Sequence, residues 1–109
     1  MSEIAIVTGG SRGIGAATSL LLARAGYAVC VNYHADARAA DEIVAAIRNE
    51  GGQALAVQAD VSQAEDVERL FDTVDREMGT LSVLVNNAGI SSPRSRVQDL
   101  PLEDLRRIV

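Results

Sequence analysis

Residues 4–15 read IAIVTGGSRGIG, and of all parts of the chain they say most about its fold. Its first four residues are apolar, which is typical of a buried strand. Gly9, Gly13 and Gly15 follow the strand, and the chain then takes amphipathic helical spacing. Glycines at these places let backbone amides approach a pyrophosphate, which the N-terminal dipole of the following helix stabilises. The stretch therefore predicts a phosphate-binding turn between a strand and a helix.

Apolar runs alternate with amphipathic segments along the rest of the chain. The runs are continuously apolar, as expected for parallel strands covered on both faces. They are Ile4 to Thr8, Tyr27 to Val31, Ala54 to Gln58 and Leu81 to Val85. Two of the segments between them carry apolar residues at i, i+3, i+4 and i+7, which predicts helices. These sets are Ala40, Ile43, Val44 and Ile47, then Val67, Leu70, Phe71 and Val74.

This alternation predicts an α/β fold, a doubly wound parallel sheet of Rossmann type. Because crossovers between parallel strands are right-handed, the first four strands should take the order 3-2-1-4. The switch point of such a sheet lies between strands one and four. We expect a ligand crevice there.

Several residues mark the predicted ends of helices. Ser62 and Glu65 are spaced as a capping box for the third helix, and Asp36 is a candidate N-cap of the second. Pro101 fits the first turn of a fourth helix. Three glycines stand where helix C-termini need a positive φ, namely Gly51, Gly52 and Gly79.

The C-terminal residues form a helical stripe that stops without a cap. The stripe consists of Leu102, Leu105, Ile108 and Val109. The fourth strand would also be left as an apolar sheet edge, which natural domains usually cover. We therefore expect residues 1–109 to be the N-terminal part of a single Rossmann domain, truncated within its fourth helix.

Composition and charge narrow the class of protein. A net charge of −5 argues against nucleic acid or an anionic membrane as a partner, since both need a basic surface. No apolar run is long enough to span a bilayer and no signal peptide is evident, so we expect a cytoplasmic protein. The chain has one His and one Cys, far from any matching cluster of ligands, so we expect no metal site. The cysteine, Cys30, lies in an apolar run and should pack as a small hydrophobe rather than a reactive thiol.

A second motif follows the fourth strand, where residues 86–89 read NNAG. The predicted strand order places this motif across the switch point from the glycine turn. The two motifs together resemble the short-chain dehydrogenase/reductase family, whose members carry Thr-Gly-x-x-x-Gly-x-Gly and Asn-Asn-Ala-Gly at about this separation. The resemblance covers essentially the whole chain and includes Asp60-Val61 after the third strand.

The resemblance implies a role for each matching residue. Gly9, Gly13 and Gly15 would shape the pyrophosphate turn, with Ser11 and the amide of Ile14 as donors near the phosphates.

Asp60 would accept a hydrogen bond from the adenine amino group, and the Val61 amide would meet a ring nitrogen. Thr8 would tie the first strand to the Asn87 turn. The adenosine ribose would be lined by Asn87, Ala88 and Gly89. The alternatives from the residues themselves are that Asp60 caps a turn and that Asn87 satisfies backbone groups at a sheet end.

The charges near the second strand favour NADP over NAD. NAD sites usually place an acid at the end of this strand, whereas Asn32, Tyr33 and His34 stand there. Arg12 supplies a planar cation that can pair with a 2′-phosphate, and Asn32 or His34 are candidates to hydrogen-bond it. Arg12 as a solvated turn residue is the alternative, and Asp36 leaves NAD open.

The catalytic residues of this family cannot be placed in the chain. Hydride-transferring members use a Tyr with a Lys four residues later. The residue four places after Tyr27 is Val31 and the residue four places after Tyr33 is Ala37, and the chain has no lysine. The resemblance implies an NADP-preferring oxidoreductase that interconverts an alcohol and a carbonyl, homo-oligomeric as a dimer or tetramer when full length. This chain would supply dinucleotide binding and be inactive alone. The alternatives are a non-catalytic NAD(P) sensor or interaction module, and a methyltransferase-type domain for S-adenosylmethionine.

Overall fold

The computed structural model describes residues 3–87 of the chain. The predicted fourth helix, with Pro101 and the C-terminal stripe, lies outside the described residues. Four strands alternate with three helices in this part of the chain. In order they are β1 (Ile4–Thr8), α1 (Gly13–Arg24), β2 (Ala28–Tyr33), α2 (Ala37–Asn49), β3 (Ala54–Gln58), α3 (Ala64–Glu77) and β4 (Leu81–Asn86).

The strands form one parallel sheet in the order β3-β2-β1-β4. This confirms the predicted Rossmann-type order, with β1 and β4 as neighbours at the switch point. Each helix returns the chain to the amino ends of the strands, and because the chain changes direction after β3, α1 and α2 cover one face of the sheet and α3 covers the other, as right-handed crossovers require. The carboxyl ends of β1 and β4 therefore open side by side.

Alternate residues of each strand enter two different cores. Ile6 and Cys30 pack on one face of the sheet with Leu70 and Val74 of α3. Val7, Val29 and Val31 pack on the other face against α1 and α2. All five residues of β1 are buried, which explains why its sequence is continuously apolar up to Thr8.

Two strands extend further toward the site than the apolar runs predicted. β2 begins at Ala28, one residue later than expected, because the Tyr27 amide donates to Leu22 O and closes the end of α1. It then continues through Asn32, which pairs with Val57 in the ladder. β4 likewise includes Asn86, paired with Thr8. A polar side chain does not prevent its backbone from joining a ladder, so hydrophobicity alone placed these ends too early.

The start of α3 differs from its predicted capping box. The helix begins at Ala64, and its N-cap residue makes no side-chain hydrogen bond. Ser62 instead donates its amide and hydroxyl to Asp60 Oδ1, at 3.0 and 2.6 Å. Asp66 Oδ2 accepts from the Asp60 amide at 2.8 Å. The capping box of Ser62 and Glu65 was therefore wrong, because the Ser62 hydroxyl is already bound in a local turn.

The other predicted helix ends are confirmed with one exception. Asp36 caps α2, since its Oδ1 accepts from the Ala39 amide at 3.0 Å. Gly51 and Gly79 have φ values of 86° and 117°. Gly52 does not have a positive φ; a Cβ there would lie 2.8 Å from Ile47 Cγ2, so close packing is what requires glycine at this position.

Cys30 lies fully buried in the sheet. It lies within an apolar cluster of buried side chains, which confirms that it packs as a hydrophobe, and this burial raises the pKa of its thiol to about 12. Within residues 3–87, no helix combines the length and apolarity needed to cross a membrane.

Candidate functional site

The chain leaves β1 through a glycine turn, residues 9–15, whose backbone conformation glycine adopts readily. Gly9 and Gly13 have φ values of 62° and 51°, in the left-handed region. A Cβ on Gly13 would meet nothing within 4 Å, so the turn is open beside this residue. Arg12 and Ile14 flank it and are both exposed, with Ile14 at 75%. The turn thus presents backbone on an accessible surface, as a phosphate site requires.

The N-terminus of α1 differs from those of the other helices. Its N-cap residue, Arg12, makes no side-chain capping bond, and its first turn holds no acidic side chain. By contrast, Asp36 caps α2 and acidic residues lie in the first turn of α3. An anion at the N-terminus of α1 would be stabilised by the helix dipole without competition from a carboxylate in that turn.

Asn32 fixes the shape of the glycine turn from β2. Its Oδ1 accepts a hydrogen bond from the Gly9 amide at 3.1 Å, and its backbone oxygen accepts one from Gly10 at 2.9 Å. Its Nδ2 donates to the backbone oxygens of Val57 and Ala59, both at 3.2 Å. Because this side chain is buried and engaged on both sides, it does not fit the direct contact with a 2′-phosphate that the sequence suggested.

Ser19 supports the same turn and was missed by sequence reasoning. It is fully buried on α1, with its hydroxyl 2.9 Å from Gly15 O and 3.3 Å from Gly10 O. A Cβ on Gly10 would lie 2.9 Å from this hydroxyl. A small polar residue on the inner face of a helix next to a glycine turn is the signal that could have identified it.

The glycine turn and the segment after β4 meet at the switch point. A Cβ on Gly15 would collide with Gly9 O and would lie 2.6 Å from Asn87 Nδ2. The Asn87 amide donates to Thr8 Oγ1 at 2.8 Å, which confirms the predicted tie between β1 and this segment. The Thr8 hydroxyl lies 3.0 Å from Asn86 Oδ1. The other two members of this motif, Ala88 and Gly89, lie outside the described residues.

Asp60 presents a carboxylate beyond the end of β3. Hydrogen bonds from the side chain and the amide of Ser62, then the nearby His34, lower the pKa of Asp60. Its Oδ2 lies 3.7 Å from His34 Nε2. The turn-capping alternative thus holds for Oδ1, while the side chain as a whole remains 31% exposed. Val61 is half-buried beside it and packs on the α3 core.

The end of β2 carries no acid but stands next to an ion pair. Tyr33 is half-buried and His34 is exposed. Arg12 Nη2 lies 2.9 Å from Asp36 Oδ2, and the Arg12 side chain is 76% exposed. The hydrogen bond from Arg12, together with that from Ala39, lowers the pKa of Asp36. The cation expected to receive a 2′-phosphate is thus reachable from solvent and already has a partner.

Within residues 3–87, no three His, Cys, Asp or Glu side chains come together as a metal site. Among the described residues, the groups at the carboxyl ends of the strands include backbone amides of the glycine turn, the side chains of Asn32 and Asn87, Arg12, His34, and the carboxylates of Asp36 and Asp60.

The family model described as short chain dehydrogenase matches residues 3–109. The chain belongs to the short-chain dehydrogenase family. The chain is 46% identical over 106 residues to the uncharacterized oxidoreductase YgfF of Escherichia coli, covering 97% of this chain and 43% of YgfF. It is 43% identical to the short-chain dehydrogenase/reductase homolog YusS of Bacillus subtilis, covering 96% of this chain and 91% of YusS. The chain thus spans less than half of the first relative and most of the second.

Two solved structures that contain a bound dinucleotide superpose on the fold. A blue fluorescent protein from a metagenomic library, in complex with NADPH, matches with a TM-score of 0.78 at 34% identity, covering 97% of this chain and 43% of that one. FolM alternative dihydrofolate reductase 1 from Brucella canis, complexed with NADP, matches with a TM-score of 0.75 at 33% identity, covering 83% and 35%.

Proposed function

We propose that this chain is the dinucleotide-binding part of an NADP-preferring oxidoreductase that interconverts an alcohol and a carbonyl. One observation carries the proposal. The open glycine turn and Asn87 converge on the β1–β4 switch point, where Gly15 leaves no room for a Cβ between them. A parallel sheet binds its ligand at such a crevice, and a backbone approach of this kind suits a pyrophosphate.

Different residues of the turn and of the strand ends would bind different parts of the dinucleotide. The uncapped N-terminus of α1 would hold the pyrophosphate, through the Ile14 amide and Ser11. Asp60 and the Val61 amide would receive the adenine. The adenosine ribose would lie against Asn87, Ala88 and Gly89. Asn32 contributes by holding Gly9 and Gly10 in place rather than by touching the ligand.

Arg12 supports the preference for NADP. No acid stands at the end of β2 to repel a 2′-phosphate, and the guanidinium of Arg12 is exposed beside it. His34 is a second candidate to reach the phosphate. The similar structures in complex with NADP and NADPH agree with this assignment.

The bound cofactor would supply the hydride chemistry at its nicotinamide. The chain's own residues would bind and orient it. The chain contains no lysine, so it cannot form the Tyr-x-x-x-Lys pair by which the resemblance implies that family members move the hydroxyl proton. We expect no turnover from these 109 residues alone. The whole enzyme would act on a small alcohol or carbonyl compound in the cytoplasm, as a dimer or tetramer.

A second candidate is a non-catalytic NAD(P)-binding module. The relative YusS favours it, because this chain covers 91% of YusS, so a homolog of this family exists at about the length of this chain. Both candidates predict dinucleotide binding, and they differ in whether any carbonyl compound is reduced. Neither candidate predicts turnover by these 109 residues alone, so the separating experiment follows NADPH oxidation by a full-length protein that contains this chain, with a panel of aldehydes and ketones.

Calorimetric titration of the chain with NADP, NAD and S-adenosylmethionine tests the proposal. We expect binding of both dinucleotides, tighter for NADP, and none of S-adenosylmethionine. Arg12→Met should weaken NADP about 10- to 100-fold, the range for loss of one charged hydrogen-bonding partner, and leave NAD within about twofold. Binding of S-adenosylmethionine alone, or an equal loss of both dinucleotides in the variant, would contradict it.

A further inference from the structure

The cation proposed to read the 2′-phosphate is held by a carboxylate that cannot easily move away. Asp36 Oδ2 pairs with Arg12 Nη2 at 2.9 Å, while its Oδ1 accepts the Ala39 amide at 3.0 Å. The two oxygens of one carboxylate therefore serve different elements, the glycine turn and the N-terminus of α2. Rotation away from Arg12 would leave α2 without its cap.

A 2′-phosphate bound to Arg12 would meet this carboxylate. The phosphate carries a charge of about −1.5 to −2 near neutral pH. Because Asp36 Oδ2 lies 2.9 Å from Arg12 Nη2, a phosphate bound to the same guanidinium would be close enough to the carboxylate for the two negative charges to repel even where water screens them. NADP must therefore share or displace the Arg12–Asp36 pair, whereas NAD brings no charge to this place. The other charged or titratable groups nearby are Arg38, which also lowers the pKa of Asp36, and the pair of His34 and Asp60.

We propose that Asp36 is a specificity-determining residue that keeps the NADP preference of this chain low. It does so by occupying Arg12 and by repelling the 2′-phosphate from a position fixed by the cap of α2. The inference rests on the proposed function and assigns the chain a dual cofactor range, with NADP ahead of NAD by less than Arg12 alone would give.

Asp36→Asn tests this inference because asparagine caps helices as well as aspartate does and carries no charge. We expect the affinity for NADP to rise about 3- to 5-fold, the upper part of the range for a screened charge interaction, with NAD unchanged within about twofold. The ratio of the two dissociation constants is the informative quantity, because a purely structural change at α2 would shift both affinities together. Asp36→Ser, also uncharged and a good cap, serves if the asparagine variant folds poorly.

Glu50→Gln is the matched control. Glu50 forms an equivalent exposed pair with Arg24 at 2.9 Å, away from the glycine turn, and its loss changes the net charge equally. We expect this variant to keep the NADP-to-NAD ratio of the parent chain. A ratio that stays within twofold in Asp36→Asn, or that rises equally in Glu50→Gln, overturns the inference. Failure of the parent chain to bind either dinucleotide would instead overturn the proposed function, and the inference with it.

Discussion

The Asn32 side-chain oxygen accepts a hydrogen bond from the Gly9 amide, with 3.1 Å between nitrogen and oxygen, so a residue of β2 sets the direction in which the chain leaves β1. The same side chain reaches Val57 and Ala59 with its nitrogen. One buried amide thereby joins the turn proposed for the pyrophosphate to the strand that leads to the adenine end of the site. The backbone geometry of the site therefore depends on this side chain, as it also does on Ser19 beside the turn and on Thr8 at the end of β1.

Replacing Asn32 by Ala should therefore affect both stability and binding. The substitution leaves the Gly9 amide and two strand-end carbonyl oxygens without their partner in a buried place. We expect the free energy of unfolding to fall by about 2 to 4 kcal/mol, the cost of unpaired buried polar groups and a small cavity. NADP affinity should fall at least about tenfold in the population that stays folded, because the turn loses its anchor. Urea unfolding and calorimetry measure the two effects.

Asn49→Ala is the control for this substitution. Asn49 is exposed at the end of α2 and should change the free energy of unfolding by less than about 0.5 kcal/mol. If Asn32→Ala were as mild as the control, the buried amide would not be holding the turn.

Two glycine substitutions separate close approach from backbone conformation. Gly15→Ala places a methyl group against Gly9 O and Asn87 Nδ2, so we expect NADP binding to be lost with the turn displaced. Gly26→Ala meets nothing within 4 Å but sits at a φ of 102°. It should cost about 1 kcal/mol of stability and leave the affinity of the folded protein unchanged. Retained binding in Gly15→Ala would show that the two segments do not form the ligand crevice.

The sequence predicted the sheet order because apolar strands and right-handed crossovers leave few alternatives. It did not predict that β2 and β4 continue through Asn32 and Asn86, since a strand end defined by backbone pairing has no apolar signature. The capping box failed at Ser62 because Asp60 competes for the same hydroxyl two residues earlier.

For the site, the glycine spacing predicted where the turn would lie but not what holds it. Asn32 was expected to touch a phosphate, and Ser19 was not expected to take part. Both assignments depend on distances between separate elements, which a linear pattern does not contain. The pairing of Arg12 with Asp36 is of the same kind, because 24 residues separate the two side chains in sequence.

Cys30 should resist modification in the folded chain. Burial raises the pKa of its thiol to about 12, so almost no thiolate forms at neutral pH, and the sulfur lies out of reach of reagents. We expect no labelling by a thiol-specific disulfide reagent in native buffer and one equivalent in concentrated urea. Rapid labelling of the native chain would mean that the sheet opens at β2, or that it packs less tightly there.

The stability of the chain should decrease in acid. Side-chain hydrogen bonds lower the pKa of three carboxyls, Asp36 through Arg12, Glu50 through Arg24, and Asp60 through Ser62. A carboxyl whose pKa is lower in the folded than in the unfolded chain stabilises the fold above its unfolded pKa and loses that contribution as the pH falls. We expect the urea midpoint to be flat near neutrality and to fall below about pH 5. Because Glu50 is exposed and Asp36 and Asp60 are partly exposed, salt should reduce the part of the effect that comes from the ion pairs, and a midpoint that rises in acid would contradict the assignment.

The most direct test of the dinucleotide cradle is a titration of the isotopically labelled chain with NADP, followed in amide correlation spectra. We predict that the amides of Gly13, Ile14 and Asn87 shift together with one dissociation constant. The amide signals of Gly26 and Gly51, which precede β2 and β3 at the amino ends of the strands, should not shift. Shifts centred on Gly26 and Gly51, or no shift at any amide with NADP in excess, would contradict the account.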